Sequence, residues 1–300
     1  MPEPAPIVLF TYNRPKHTEI TLNKLKECVL AQESDLVVFS DAAADEKNKH
    51  LVMECRKLIK EQKGFKSVQL IERETNMGLA NSIISGLNQV FKTYDKVIVL
   101  EDDMLVGKHF LEFMNAALEQ YKDNKAVYTI SAYSYRLPFK SSKRSYFLPT
   151  SSNQAWASWK DRWQKIDFNR RDFDELKTSK KLRRTFNHWG GPDYSGRLIE
   201  AAESEKPSSW AILYKWNQFM ANGLTLFSAH NLVQNIGWDG SGTNCVAHNP
   251  YGEKIGNIDH NELHLPKEID YRRTDLFRLI LFFYKIKVKE FWRIRILKKV

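Results

Sequence analysis

The sequence predicts an α/β protein built on a doubly wound, mainly parallel sheet. Three observations carry that expectation. Short β-branched runs alternate with amphipathic helical stretches about every 30 residues over the first 135 positions. The run over 97–100 is apolar throughout, as a strand covered on both faces is. Several of the runs close on a carboxylate, at the edge where open α/β sheets hold their ligands.

Ile7–Thr11 reads as the first strand, and Pro15 after Asn13 and Arg14 starts a helix carrying Leu22, Leu25 and Val29. Residues 36–41 form the second strand, ending on Asp41, and a helix over 49–62 sets Leu51, Cys55, Leu58 and Ile59 on one face. Residues 67–71 are a third strand. Asn76-Met77-Gly78 then turns into a helix with Leu79, Ile83, Leu87 and Val90 on one stripe. Residues 97–100 form the fourth strand, Phe110–Tyr121 a helix and 126–131 a fifth strand. The expected organisation is a nucleotide-binding half (1–135), an irregular acceptor half (136–268) and a basic amphipathic tail (269–300). Pro138, Pro149, Gly190-Gly191-Pro192, Pro207 and Gly237 punctuate the second half. Trp156, Trp159 and Trp163 recur there at helical spacing, which suits either a core stripe or stacking on acceptor sugars.

Composition narrows the function classes. Three cysteines, Cys28, Cys55 and Cys245, are too few and too far apart for a disulfide framework or a thiolate metal cluster, which fits a reducing compartment. The start of the chain lacks a secretory pattern, and no apolar run reaches the roughly 20 residues that span a bilayer. The net charge of +10 suggests nucleic acid, but the distribution argues against it. Between Tyr271 and Val300 stand ten lysines and arginines against only Asp275 and Glu290, so the body is nearly neutral. Aromatic, aliphatic and cationic residues mixed over 275–300 suit an anionic membrane surface, or else a terminal helix packed on its own domain or on a partner subunit. The expected location is cytoplasmic, peripheral at the inner face of the membrane.

The chemistry centres on Lys96-Val97-Ile98-Val99-Leu100-Glu101-Asp102-Asp103-Met104. Three adjacent carboxylates repel one another unless they are solvated or share a cation. Hard oxygens suit Mg²⁺ or Mn²⁺ held together with substrate phosphates. An acidic turn after a core strand is the plainer alternative. Neither a Gly-x-Gly-x-x-Gly stretch nor a phosphate loop ending in Gly-Lys-Ser/Thr is present, which weakens dinucleotide and P-loop readings.

Thr11-Tyr12-Asn13-Arg14 after strand one, Asp41 after strand two, Asn76-Met77-Gly78-Leu79-Ala80-Asn81 before a helix and Glu101-Asp102-Asp103 after strand four together resemble the GT-A glycosyltransferases. The likeness is to bacterial polysaccharide-cluster sugar transferases and to the N-acetylglucosaminyltransferases of N-glycan branching. It implies a GT-A fold, a nucleotide-sugar donor with UDP, and a metal on Asp103. It further implies that Glu101 and Asp102 contact ribose and donor sugar, that Asp41 meets uracil or ribose, and that Arg14 lies near base or phosphates. Thr11, Asn13, Asn76, Gly78 and Asn81 complete the donor pocket on the same ground. Rival roles remain for three of them: Asp41 as a helix cap, Arg14 as a surface cation, and Asn76 as a turn residue beside a positive-φ Gly78.

Inverting relatives place a carboxylate base before a tryptophan, where this chain reads Ser208-Ser209-Trp210. Asp239, set among glycines, ranks first as the replacement, with Asp193, Glu203 and Glu205 after it; His248 is a further candidate metal ligand. The acceptor expected from the tail is lipid-linked, as in lipopolysaccharide or capsule assembly. A nucleotidyltransferase and a non-catalytic carbohydrate- or lipid-surface-binding protein are the rival functions.

Overall fold

The computed structural model describes residues 3–138, 144–170, 173–188, 191–203, 210–241, 254–256, 263–269, 271 and 273–297. The first half follows the expected alternation. It comprises β1 (Ile7–Thr11), α1 (Pro15–Lys26), β2 (Asp35–Ser40), α2 (Glu46–Lys60), β3 (Ser67–Glu72), α3 (Gly78–Val90), β4 (Lys96–Glu101), β5 (Met104–Val106), α4 (Phe110–Tyr121) and β6 (Val127–Ser131). The second half adds β7 (Tyr146–Leu148), β8 (Trp156–Trp159), α5 (Lys160–Trp163), α6 (Asp174–Thr178), α7 (Lys180–Phe186), α8 (Tyr194–Glu203), α9 (Trp210–Met220), β9 (Leu224–Phe227), β10 (Val233–Asn235) and α10 (Arg273–Leu297).

Among the described residues, one eight-stranded sheet runs in the order β3-β2-β1-β4-β8-β6-β9-β7. β3, β2, β1 and β4 are parallel, β8 runs against β4 and β6, β9 is parallel to β6, and β7 runs against β9. Six strands therefore share one direction, and the mainly parallel expectation holds.

Both faces are covered. Ile7, Leu9, Leu36, Val38, Ile98 and Leu100 pack with α1 and α4 on one side. Val8, Phe10, Val37, Phe39, Val97 and Val99 pack with α3 and α9 on the other. This explains why the central strands carry no polar alternation. A third cluster joins Phe173, Leu176, Phe186 and Leu198 to Ile212, Leu213 and Trp216 of α9.

The tryptophan spacing misleads. Trp156 and Trp159 lie on a strand, not a helix, and their odd separation sends them to opposite faces of the sheet. Trp163 sits on the single turn α5, stacked 6.1 Å from Trp156, and Trp156 stacks 5.6 Å from Trp210. All three are buried, so none offers a ring to an acceptor sugar. Beside them Arg162 is buried over the Trp159 ring at 4.2 Å. Its guanidinium donates to the carbonyls of Tyr121, Lys122, Asn124 and Val127. A buried cation is tolerated there because the open carbonyls ending α4 satisfy its protons.

The tail is one long helix with two environments. Leu279, Phe282 and Phe283 of α10 are buried, with Phe282 and Phe283 against the Tyr135 ring at 5.5 and 5.8 Å. Phe277, Tyr284, Phe291 and Trp292 are each more than half exposed. No helix among the described residues is long and apolar enough to cross a membrane.

Trp156→Ala is expected to cost about 3–5 kcal/mol in denaturant unfolding, the range for a large core aromatic. Phe277→Ala, on the open face of α10, should change stability by less than about 0.5 kcal/mol. Equal effects would contradict this division of the aromatic residues.

Candidate functional site

The acidic corner forms where three elements meet. β1 and β4 run in parallel with Phe10 opposite Glu101, so the chain leaving β1 passes beside the acids leaving β4. Arg14, the residue before Pro15 at the start of α1, turns its guanidinium back onto that corner. It pairs with Asp102 Oδ1 and, at 3.1 Å, with Asp103 Oδ2. The Tyr12 N–H donates to Asp102 Oδ2 at 3.3 Å, and the Thr21 hydroxyl donates to the Asp102 carbonyl at 2.8 Å. From the other side, β10 pairs antiparallel with β5, Asn235 opposite Met104. The Ile236 N–H then donates to the Asp103 carbonyl at 2.9 Å. Gly237 follows so closely that a Cβ there would overlap Asp103 Oδ2 and stand 3.2 Å from Arg14 Nη1. Only glycine fits.

Asp102 and Asp103 are buried, and Asp103 Oδ1 has no hydrogen-bond partner among the described residues. Burial pushes the Glu101 carboxyl up to about 8, aided by the charges of Asp103 and Asp102. Burial also pushes Asp102 up to about 6, against the pull of Arg14. For Arg14, burial works against the charge, but Asp102 and Asp103 outweigh it and the pKa is raised. One guanidinium thus pairs with two of the three acids, while burial keeps the third, Glu101, largely protonated near neutral pH.

Asp41 serves a helix, though not the one that follows it. Its carboxylate accepts from the N–H groups of Met77 at 2.9 Å and Gly78 at 2.9 Å, capping the start of α3, while Asp45 caps α2. Gly78 has φ +72°, as the Asn-x-Gly turn requires. Asn76 Nδ2 donates to the Ala42 carbonyl at 2.7 Å and Asn81 Nδ2 to the Met77 carbonyl at 3.1 Å. Asn13 Nδ2 donates to Asn48 Oδ1 at 2.5 Å, and the buried Thr11 hydroxyl has no described partner. These side chains tie together the loops that leave β1, β2 and β3.

Asp239, two residues beyond Gly237, is half-exposed. Its Oδ1 accepts from the Ser241 hydroxyl at 2.6 Å and N–H at 2.9 Å, and its Oδ2 lies 3.2 Å from His17 Nε2. The Ser241 hydrogen bonds hold its carboxyl below the usual range. Glu205, Ser208, Ser209 and His248 lie outside the described residues. Among the described residues, no group of three or more His, Cys, Asp or Glu side chains is placed to hold a metal by itself.

A second polar group, marked by no sequence motif, borders this edge. β8 begins at Trp156 opposite Val99, so the residues just before it stand at the same sheet edge as Glu101. Ser151 Oγ, Asn153 Nδ2 and Gln154 Oε1 are buried without described partners. The segment is pinned from below by Lys215 of α9, whose ammonium donates to Thr150 Oγ1 at 2.8 Å and to the Ser151 carbonyl at 2.6 Å. It also lies 4.6 Å from the Tyr194 ring centroid. Burial pulls Lys215 down to about 7 and His188 to about 3, the latter also repelled by Lys215. A lone lysine between the apolar residues of Trp210–Met220 was the available sequence signal.

No protein-family model matches the chain, and no curated protein does. Among solved structures it is similar to S. aureus TarS, at 13% identity and TM-score 0.42, over 76% of this chain and 36% of that one. A second is the mannosyltransferase PcManGT from Pyrobaculum calidifontis in complex with GDP-Man and Mn²⁺. There the identity is 18% and the TM-score 0.38, over 52% of this chain and 45% of that one. A third, S. aureus TarS 1-349 in complex with UDP, gives 17% and 0.37 over 61% and 54%. The chain thus spans between about a third and just over half of the structures it matches.

Lys215 sets a pH dependence whose sign follows from its lowered pKa. Below about 7 both folded and unfolded chains carry the proton; between about 7 and 10.5 only the unfolded chain does. Its contribution therefore rises with pH across that window. The thermal midpoint of wild type relative to Lys215→Met is expected to climb between pH 7 and pH 9. A constant difference would mean that Lys215 stays charged in the folded protein.

Proposed function

We propose that the chain is a GT-A glycosyltransferase, dependent on Mn²⁺ or Mg²⁺, that moves a sugar from a UDP-sugar to a glycan or lipid-linked acceptor. Inversion at the sugar carbon and a place in cell-surface polysaccharide or lipopolysaccharide assembly are parts of the same reading. The observation that carries it is the corner of Arg14, Asp102 and Asp103, at the carboxyl edge of a parallel sheet, with Asp103 Oδ1 buried and unpartnered.

The donor set fits a hard cation. Asp103 Oδ1 is a carboxylate oxygen without a hydrogen bond, and one carboxylate together with substrate phosphates is the usual way such an ion is held. When bound, that ion neutralises charge on the departing nucleoside diphosphate. The chain's own groups supply the rest. Arg14 is within reach of the same phosphates and adds a second positive charge. Asp41 fixes the start of α3, and Asn13 and Asn76 fix the loops that frame the base and ribose. Glu101, with Asn153 and Gln154 beside it on the sheet edge, offers acceptors and donors to sugar hydroxyls.

In the transfer, the bond from the anomeric carbon to the diphosphate oxygen breaks and its electron pair leaves with the diphosphate. The acceptor oxygen bonds to that carbon and loses its proton. Asp239, with His17 at 3.2 Å to carry the proton onward, is the described candidate base. Its lowered pKa makes it a weak base, which suits a step in which the sugar carbon is already oxocarbenium-like. The alternative, a non-catalytic protein of this fold, is favoured by one observation: Arg14 already neutralises part of the acidic corner. The open stripe of α10 and its lysines support a peripheral membrane location for residues 275–300.

Release of UDP from a panel of UDP-sugars is expected to require Mn²⁺ or Mg²⁺ and to fall at least about a hundredfold in Asp103→Asn. Equal turnover in both proteins would remove the metal role. No release from any donor, with nucleotide binding intact, would favour the non-catalytic alternative.

A further inference from the structure

Beside the tail, and away from the acidic corner, a cavity of about 410 Å³ opens between α7, the Gly191–Ser195 segment and α10. Lys180, Arg183 and Arg184 of α7 and Lys287 of α10 line it, with Asn187 and Asp193. We infer that this cavity binds the phosphate of an anionic membrane lipid, so that the tail recognises a headgroup as well as an apolar surface. The inference rests on the membrane location proposed for the tail.

Four cations from two separate elements converge here, and none of them makes an ion pair among the described residues. Elsewhere on α10 cations are paired, as Arg278 is with Asp275 and Arg293 with Glu290. The one carboxylate in the cavity is already committed. Asp193 Oδ1 accepts from the Gly196 N–H at 3.0 Å, Asn187 Nδ2 at 3.0 Å and the Ser195 hydroxyl at 3.1 Å. It organises the rim and leaves a net excess of positive charge. Gathering like charges costs Coulomb energy that a bound anion recovers, and adjacent arginines present the forked donors that suit phosphate oxygens.

The helix that carries Lys287 shows which source of phosphate fits. Asp275, Leu279, Phe282 and Phe283 face the body. Phe277, Tyr284, Val288, Phe291 and Trp292 fall on the opposite face by helical spacing, and all are exposed. A helix on a globular surface turns its polar side outward, whereas here the outward side is aromatic. Lys287 lies three residues after Tyr284 and four before Phe291, so it borders that stripe on the helix surface. A phosphate joined to acyl chains meets both surfaces at once; a free anion meets only the cavity.

The test uses the full chain and short-chain soluble lipids, which bind without a bilayer's diffuse field. Dihexanoyl phosphatidylglycerol is expected to raise the thermal midpoint of wild type, and dihexanoyl phosphatidylcholine and inorganic phosphate are not. Arg183→Gln/Arg184→Gln should weaken binding of the anionic lipid about tenfold or more, while the charge-matched Lys285→Gln/Lys289→Gln should retain it. The same contrast should appear in partitioning onto phosphatidylglycerol vesicles, with circular dichroism spectra and UDP release unchanged in both variants. Wild-type affinity in Arg183→Gln/Arg184→Gln would overturn the cavity while leaving a membrane-bound tail standing. An equal response to inorganic phosphate would make it a free-anion site and overturn the lipid assignment. Wild type that partitions onto no vesicle would remove the tail reading and the cavity with it.

Discussion

Three carboxylates at the end of a buried strand repel one another, and Arg14 is the group that lets the chain fold with them adjacent. It reaches them because Pro15 fixes the first turn of α1, and because the parallel pairing of β1 with β4 sets the two chain exits side by side. Gly237 closes the third side, where any side chain would strike Asp103 or Arg14. The corner is thus a constraint on the backbone as much as a collection of charges. The arrangement also explains why one oxygen of Asp103 remains unpartnered while its neighbour is engaged: Arg14 approaches from one direction only.

The central strands β1, β2 and β4 were legible because they are covered on both faces, and uninterrupted apolar runs are what such strands require. The edge strand β3, half-exposed, was found from its position in the alternation more than from its composition. The acidic corner was legible as a cluster at a strand end. Its partner Arg14 was read as facing the base or phosphates, since sequence separation hides an ion pair between elements joined only by sheet pairing. β8 was not legible. Trp156 and Trp159 fit a helical period and a strand period equally over so short a run, and only burial on opposite sheet faces separates the two. Asp41 was read with its capping alternative, but the capped helix is α3, because Asn76-Met77-Gly78 folds back over the end of β2.

Two buried cations show how the second half is fastened. Arg162 is held by backbone carbonyls at the end of α4, and Lys215 by a hydroxyl and a carbonyl of the segment that enters β8. Arg162 also pairs with Asp161 at 2.7 Å, whereas Lys215 has no carboxylate within bonding distance among the described residues and attaches through its protons alone. Losing either donor would strand buried carbonyls. In exchange, the polar residues just before β8 are fixed at the sheet edge beside Glu101, where a ligand for the acidic corner would also lie.

The tail cannot be treated as a simple appendage to this body. Phe283 stacks 6.3 Å from the His188 ring, His188 packs edge-on against Tyr194, and Tyr194 lies over the Lys215 ammonium. Lys215 in turn holds the segment leading into β8. Contacts therefore run from α10 to the segment that enters β8. A truncation at Thr274 would strip Leu279, Phe282 and Phe283 from the core and uncover the Tyr135 ring that Phe282 and Phe283 pack against. A cut after Lys285 leaves that packing in place and removes Lys287 with the distal part of the aromatic stripe. Only the second cut separates what the helix does for the fold from what its open face can do at a surface.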